Sequence, residues 1–147
     1  MKNKIATILL LLSIFFFINF KEILAKEFLF NTESIEILNN GNIISAKNGV
    51  VKSLEDKIEI NSKKFYLDKS TSILKASNGV VKFLDTGITV EADNLEYNNI
   101  LSVFFANRNV TILDNKQQVS ITSENIFFDN KKKIIISESK TTINDKF

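Results

Sequence analysis

The sequence predicts an all-β protein of consecutive antiparallel hairpins built on a repeat of about 30 residues. The first observation is the repeat itself. Asn48-Gly49-Val50-Val51-Lys52 returns letter for letter as Asn78-Gly79-Val80-Val81-Lys82, and more loosely as Arg108-Asn109-Val110-Thr111-Ile112. Ala46, Ala76 and Ala106 precede the three copies at a spacing of 30. The second observation is alternation: Phe28 and Phe30, Ile35 and Ile37, Ile58 and Ile60, Ile88 and Val90, Val119 and Ile121 recur with a period of two, the mark of half-buried strands. The third is the regular fall of turn chemistry between them.

The elements follow in chain order. Lys2 and Lys4 precede an apolar run from Ile5 to Phe20, and Ile23-Leu24-Ala25 closes the segment with a small residue. A basic start, an apolar middle and a small cleavage residue describe a secretory signal helix over residues 1–25. An uncleaved anchor is the rival reading, although the run of 16 is shorter than the roughly 20 residues a span requires. Either way, residues 26–147 are expected as one exported domain. About eight strands of roughly ten residues fit there. They are parted at Asn39-Asn40-Gly41, Glu55-Asp56-Lys57, Asp68-Lys69-Ser70, Asp85-Thr86-Gly87, Asn98-Asn99, Asp114-Asn115-Lys116 and Asp129-Asn130-Lys131. A truncated last unit begins at Ile134. Proline is absent throughout, so no strand loses a ladder donor.

The two Asn-Gly pairs allow either two extra hairpin turns or bulges inside continuous strands. Bulges are the favoured reading, because they restore one inward face as Leu74, Ala76, Gly79, Val81 and Phe83. The third copy, with Ala106, Arg108, Val110 and Ile112, reads as unbroken alternation.

Composition excludes several functions. With no Cys there is no disulfide framework, and with neither Cys nor His zinc sites and thiol or imidazole catalysis have no ligands or nucleophiles. The first 25 residues carry the whole positive excess, and the remainder balances, so no basic face points to nucleic acid. Glu91, Asp93 and Glu96 are the nearest approach to an acid pair or cation site, but a glycosidase needs two positioned carboxylates; an exposed strand face is the plainer reading. Lys131-Lys132-Lys133 reads first as a solvated turn and second as a contact for lipid phosphates. No enzyme activity, cofactor or metal is expected.

An apolar-x-Ala step, then a Gly-Asn-Val-like step, then Ile-x-Ala-Asp and a tyrosine before a turn resembles the repeat of the lipopolysaccharide-transport periplasmic domain, also called the OstA-like domain. Glu91-Ala92-Asp93-Asn94-Leu95-Glu96-Tyr97-Asn98 followed by Phe105-Ala106-Asn107-Arg108-Asn109-Val110 carries the resemblance best. It extends over nearly all of residues 27–143. The opening Glu27-Phe28-Leu29-Phe30-Asn31 after the leader is similar to the mature start of the outer-membrane assembly member, LptD. The length suits that member's N-terminal domain alone, or the free-standing bridge member LptA, with LptC in the same superfamily. The family's usual Ala-Asp is replaced by Ser62-Lys63 and Ser123-Glu124.

The resemblance implies an antiparallel twisted β-jellyroll with a greasy interior open at its ends, in the periplasm and associated with the outer membrane. It implies lipopolysaccharide as ligand. Shielding each acyl methylene from water is worth about 0.8 kcal/mol. The candidates to line the groove are Val51, Ile60, Leu74, Val81, Phe83, Val90, Phe104, Val110, Ile112 and Ile121; residue by residue, an ordinary sandwich core fits them as well. Unpaired edge strands are templates for a partner, so Glu27–Leu38 and Lys133–Ile143 are expected to pair with other Lpt-type jellyrolls by strand augmentation. Two alternatives stay open. Phe147 at the C-terminus is like the final aromatic of a small outer-membrane β-barrel, and repetition also suits a β-solenoid binding or adhesion module.

Overall fold

The computed structural model describes residues 27–145. The predicted signal helix, and Phe147, lie outside the described residues. Nine strands form one antiparallel sheet: β1 Phe28–Leu38, β2 Ile43–Ser53, β3 Ile58–Asp68, β4 Ile73–Phe83, β5 Ile88–Asn98, β6 Val103–Asp114, β7 Val119–Asp129, β8 Ile134–Ile136 and β9 Thr142–Asp145. Each strand pairs with the next in sequence through β8, and β9 returns to pair with β7. β8 and β9 lie in series along β7, so nine segments make eight strand courses.

The repeat is finer than 30 residues. Strands begin at Ile43, Ile58, Ile73 and Ile88, one every 15 residues, so the 30-residue period is a hairpin of two such units. All seven predicted turns separate strands where expected. Most end on a left-handed residue, as at Lys57, Ser72, Gly87, Ser102, Gln118 and Lys133. Side-chain acceptors at the strand ends hold them: Asp129 Oδ1 accepts the backbone N–H groups of Lys131 and Lys132 at 3.1 and 3.0 Å. Asp68 accepts from Ser70 in the same way, an Asx-turn device.

Halfway along, every long strand breaks step at the same level. Inward residues run Ile58, Ile60, Ser62, then Phe65 and Leu67 in β3, a shift of one residue at the middle. Glu33, Asn48, Lys63, Asn78 and Asp93 are the skipped positions, aligned across β1 to β5, so the register stays in phase. The Asn-Gly pairs therefore lie inside continuous strands, with Asn48 and Asn78 left-handed, and the face Leu74, Ala76, Gly79, Val81, Phe83 is buried as expected. The reading of β6 needs correction. It is not unbroken alternation: Arg108 and Asn109 are both left-handed and exposed, and β6 carries one extra residue that shifts its register against both neighbours.

This row is a crease. It divides the sheet into one wall that ends at the turns 54–57, 84–87 and 115–118, and a second wall that ends at the turns 39–42, 69–72, 99–102 and 130–133. The walls fold onto each other. Phe83 of the first wall meets Phe104 and Phe128 of the second, edge to face, at centroid distances of 5.6 and 4.5 Å. Phe30 meets Phe65 at 6.5 Å and Phe28 meets Tyr97 at 6.2 Å, again across the walls. Each first-wall strand faces a second-wall strand two to four further along the chain, so the walls are staggered. The path from β1 to the last course shares no closing ladder among the described residues, so the barrel alternative is set aside. All ladders are antiparallel, unlike the parallel stacking of solenoid coils.

Candidate functional site

Small residues line the inside of the crease: Thr32, Gly49, Ser62, Gly79, Ala92 and Ser123. Only small side chains allow two walls to diverge from one line without a clash. Ser62 Oγ donates to Ser77 O at 2.7 Å, and Ser123 Oγ donates to Asn125 O at 3.0 Å. The serines standing where the OstA-like pattern has alanine thus satisfy the backbone that the break in step releases.

Between crease and turns the inner face is apolar. Of the ten groove candidates, Val51, Ile60, Leu74, Val81, Phe83, Val90, Phe104, Val110 and Ile112 are at most 2 % exposed. Ile121 is partly buried against the same cluster. All ten share one face, and through the middle of the domain that face is packed side chain to side chain.

The stagger opens the two ends. Among the described residues no strand precedes β1 to cover its second-wall half, and Ile35 and Ile37 point along the inner face at 53 and 62 % exposure. At the other end Ile143 of β9 lies opposite Ile121 and is 63 % exposed. The apolar interior therefore continues past its packed centre to an accessible strip at each edge strand. A cleft of about 390 Å³ adjoins the first strip, between Phe28 and the pair Ile44 and Leu67, with Lys69 at its rim.

These features can be matched to known structures. The fold is an LptA-like β-jellyroll. LptH, the LptA-homologous periplasmic component of the lipopolysaccharide transport device of Pseudomonas aeruginosa, aligns with a TM-score of 0.69 over 82 % of this chain and 96 % of its own, at 8 % identity. At that identity the likeness is one of fold. No family model matches the sequence, and no curated protein matches it.

In this jellyroll the seam opposite the crease is tied by polar contacts between the turns of the two walls. The Asp56 carboxylate accepts hydrogen bonds from the Tyr97 and Ser102 hydroxyls, the latter at 2.9 Å, and its backbone oxygen accepts one from Asn130 Nδ2 at 3.2 Å. Burial, and next the Asp56 carboxylate, hold the Tyr97 phenol well above its ordinary value, so it stays a donor. Lys133 Nζ lies 2.6 Å from Asp85 Oδ2. Burial works to raise the Asp85 carboxyl, but the hydrogen bond and charge of Lys133 outweigh it and hold the group below 3.8.

The outer surface accounts for the other charged candidates. Asp93 is bonded by Asn109 at 2.9 Å and faces Arg108, and Glu96 pairs with Lys75 at 3.3 Å. Within Lys131-Lys132-Lys133, Lys132 returns to Asp129 and Lys133 to Asp85. Among the described residues no three Asp, Glu, Cys or His side chains converge to hold a metal ion.

Sequence reasoning missed the residues at the mouths: Phe28, Ile44 and Leu67 at the cleft, and Ile35, Ile37 and Ile143 on the open strips. Ile35 and Ile37 were visible as alternation, but their exposure follows from the stagger of the walls, which no local pattern records. The Asp56 clasp joins residues 41 and 46 positions apart and left no signal in the repeat.

Proposed function

We propose that this chain is a lipopolysaccharide-transport domain of the periplasm, associated with the outer membrane, that shields acyl chains along its inner face and passes them to neighbouring jellyrolls docked at its edges. One observation carries the reading: a single apolar face runs the length of an LptA-like jellyroll and reaches solvent at both edge strands. Val51, Ile60, Leu74, Val81, Phe83, Val90, Phe104, Val110, Ile112 and Ile121 are its lining, with Ile35, Ile37 and Ile143 at the mouths. Among the described residues β1 and the β8–β9 course are the edges of the sheet, so a second Lpt-type domain can extend the sheet and the apolar face together.

The test is photo-crosslinking in intact envelopes, with benzoylphenylalanine at Ile37, Phe83 or Ile121 of the full-length chain and labelled lipopolysaccharide. Adducts at these inward positions, and none at the outward Thr89 or Thr111, are expected. Equal labelling of both sets would end the proposal. Edge docking is tested separately: crosslinkers at Leu29 or Ile136 should trap a second jellyroll protein, and an absence of protein adducts would remove that half of the reading.

A further inference from the structure

The crease and the seam close the interior in different ways. The crease is continuous backbone, whereas the seam is held by side chains whose partners water can replace. The seam is also uneven. Its N-terminal end is the cleft lined by Phe28, Ile44 and Leu67. Further along come two clasps: first Asp56 with Tyr97, Ser102 and Asn130, then Asp85 with Lys133. Behind them the described core is closely packed, with Phe83 and Phe128 centroids 4.5 Å apart and both rings about 1 % exposed.

We propose that the Asp56 clasp is a latch: acyl chains gather in the Phe28 cleft and reach the core when the seam parts there, the crease serving as the hinge. The inference rests on the lipid-binding reading above. Three features support it. An acyl chain needs a void that the packed core lacks, so the walls must separate, and only the seam separates without breaking sheet ladders. The cleft is flanked by apolar side chains on both walls, Phe28 of the first and Ile44 and Leu67 of the second. Phe28 stands edge-on to Tyr97, centroids 6.2 Å apart, so a chain that displaces Phe28 disturbs the donor that closes the latch.

The chain has no cysteine, so Asp56→Cys with Ser102→Cys introduces its only thiols, at positions whose polar atoms now lie 2.9 Å apart. The full-length double variant carries benzoylphenylalanine at Phe83 and is exposed to labelled lipopolysaccharide in intact envelopes. Under oxidant, adducts should fall at least tenfold, and reductant should restore them. Equal adducts in both states would overturn the latch, since lipid would then be threading in from the ends. No adducts in either state would instead remove the lipid-binding reading and this inference with it. As a milder variant that keeps the fold, Tyr97→Phe should load Phe83 at least twofold faster; an unchanged or slower rate also counts against the latch.

Discussion

Gly49 and Gly79 sit where neighbouring strands approach most closely at the crease. A Cβ on Gly49 would collide with Asn31 O and lie 2.6 Å from Thr32 Cα, both backbone atoms, and one on Gly79 would lie 2.7 Å from Asn61 O. Neither neighbour can turn aside as a side chain would. Gly49→Ala and Gly79→Ala should each cost about 1–3 kcal/mol, as overpacking does, read as a lower urea midpoint. β6 places Val110 at the same level and escapes the collision with an extra residue and two left-handed ones, Arg108 and Asn109. Deleting Asn109 should therefore destabilise the fold, and adding Val110→Gly should recover much of the loss; a deletion without effect would disprove this account of the crease. The sequence showed the first half of this. Asn-Gly inside alternating residues was legible as a bulge, because the inward face only closes if one residue is skipped. The skipped residues of the odd strands, Lys63 and Asp93, were not legible, since neither glycine nor a left-handed residue marks them.

At the level of strands and turns, alternation told which residues face inward: nine of the ten groove candidates are at most 2 % exposed, whereas the inward Ile35 and Ile37 of β1 stay more than half exposed. It could not tell which inward residues meet across the walls, because the aromatic cluster joins β4 to β6 and β7 through tertiary packing. Phe83→Ala removes the ring that touches both Phe104 and Phe128; a cost of about 3–5 kcal/mol is expected. The outward, exposed Phe105→Ser should stay within about 0.5 kcal/mol, and a comparison of the two urea curves checks the assignment of faces. The turns add a pH dependence. The Asp85 carboxyl is depressed in the folded state, so its contribution is present above the ordinary value of 3.8 and fades as pH falls through the lower, folded one. Asp85 and Lys133 are both partly exposed, so the effect is modest and screened by salt. Thermal melts between neutral pH and pH 3 should show a smaller acid loss in Asp85→Asn than in the parent; identical losses would remove Asp85 from the account.

Across the whole molecule, the period and the stagger together decide what the protein can do. Among the described residues, β1 to β8 each bond to their sequence neighbours and β9 alone returns to β7, so stability accumulates course by course as in a repeat array. Because the walls are offset by two to four strands, lengthening such an array leaves the same uncovered strip at each end and the same apolar face between them. The 15-residue step makes this testable. A second copy of residues 73–102, inserted after Ser102, joins at a turn that already precedes a strand start, and it keeps Tyr97 and Ser102 opposite Asp56. The enlarged chain should fold as one cooperative unit. Its urea m-value should rise by about a quarter, since m follows the surface buried and 30 residues are added to the described span 27–145. On the proposed lipid-transport function it should also hold more acyl chain per protein while docking the same partners, because both edge strands are unchanged. Two separate unfolding transitions, or an unchanged m-value, would mean that the walls are not a continuous repeat but two fixed ends around a unique middle, and the inner face could not then act as a conduit of extendable length.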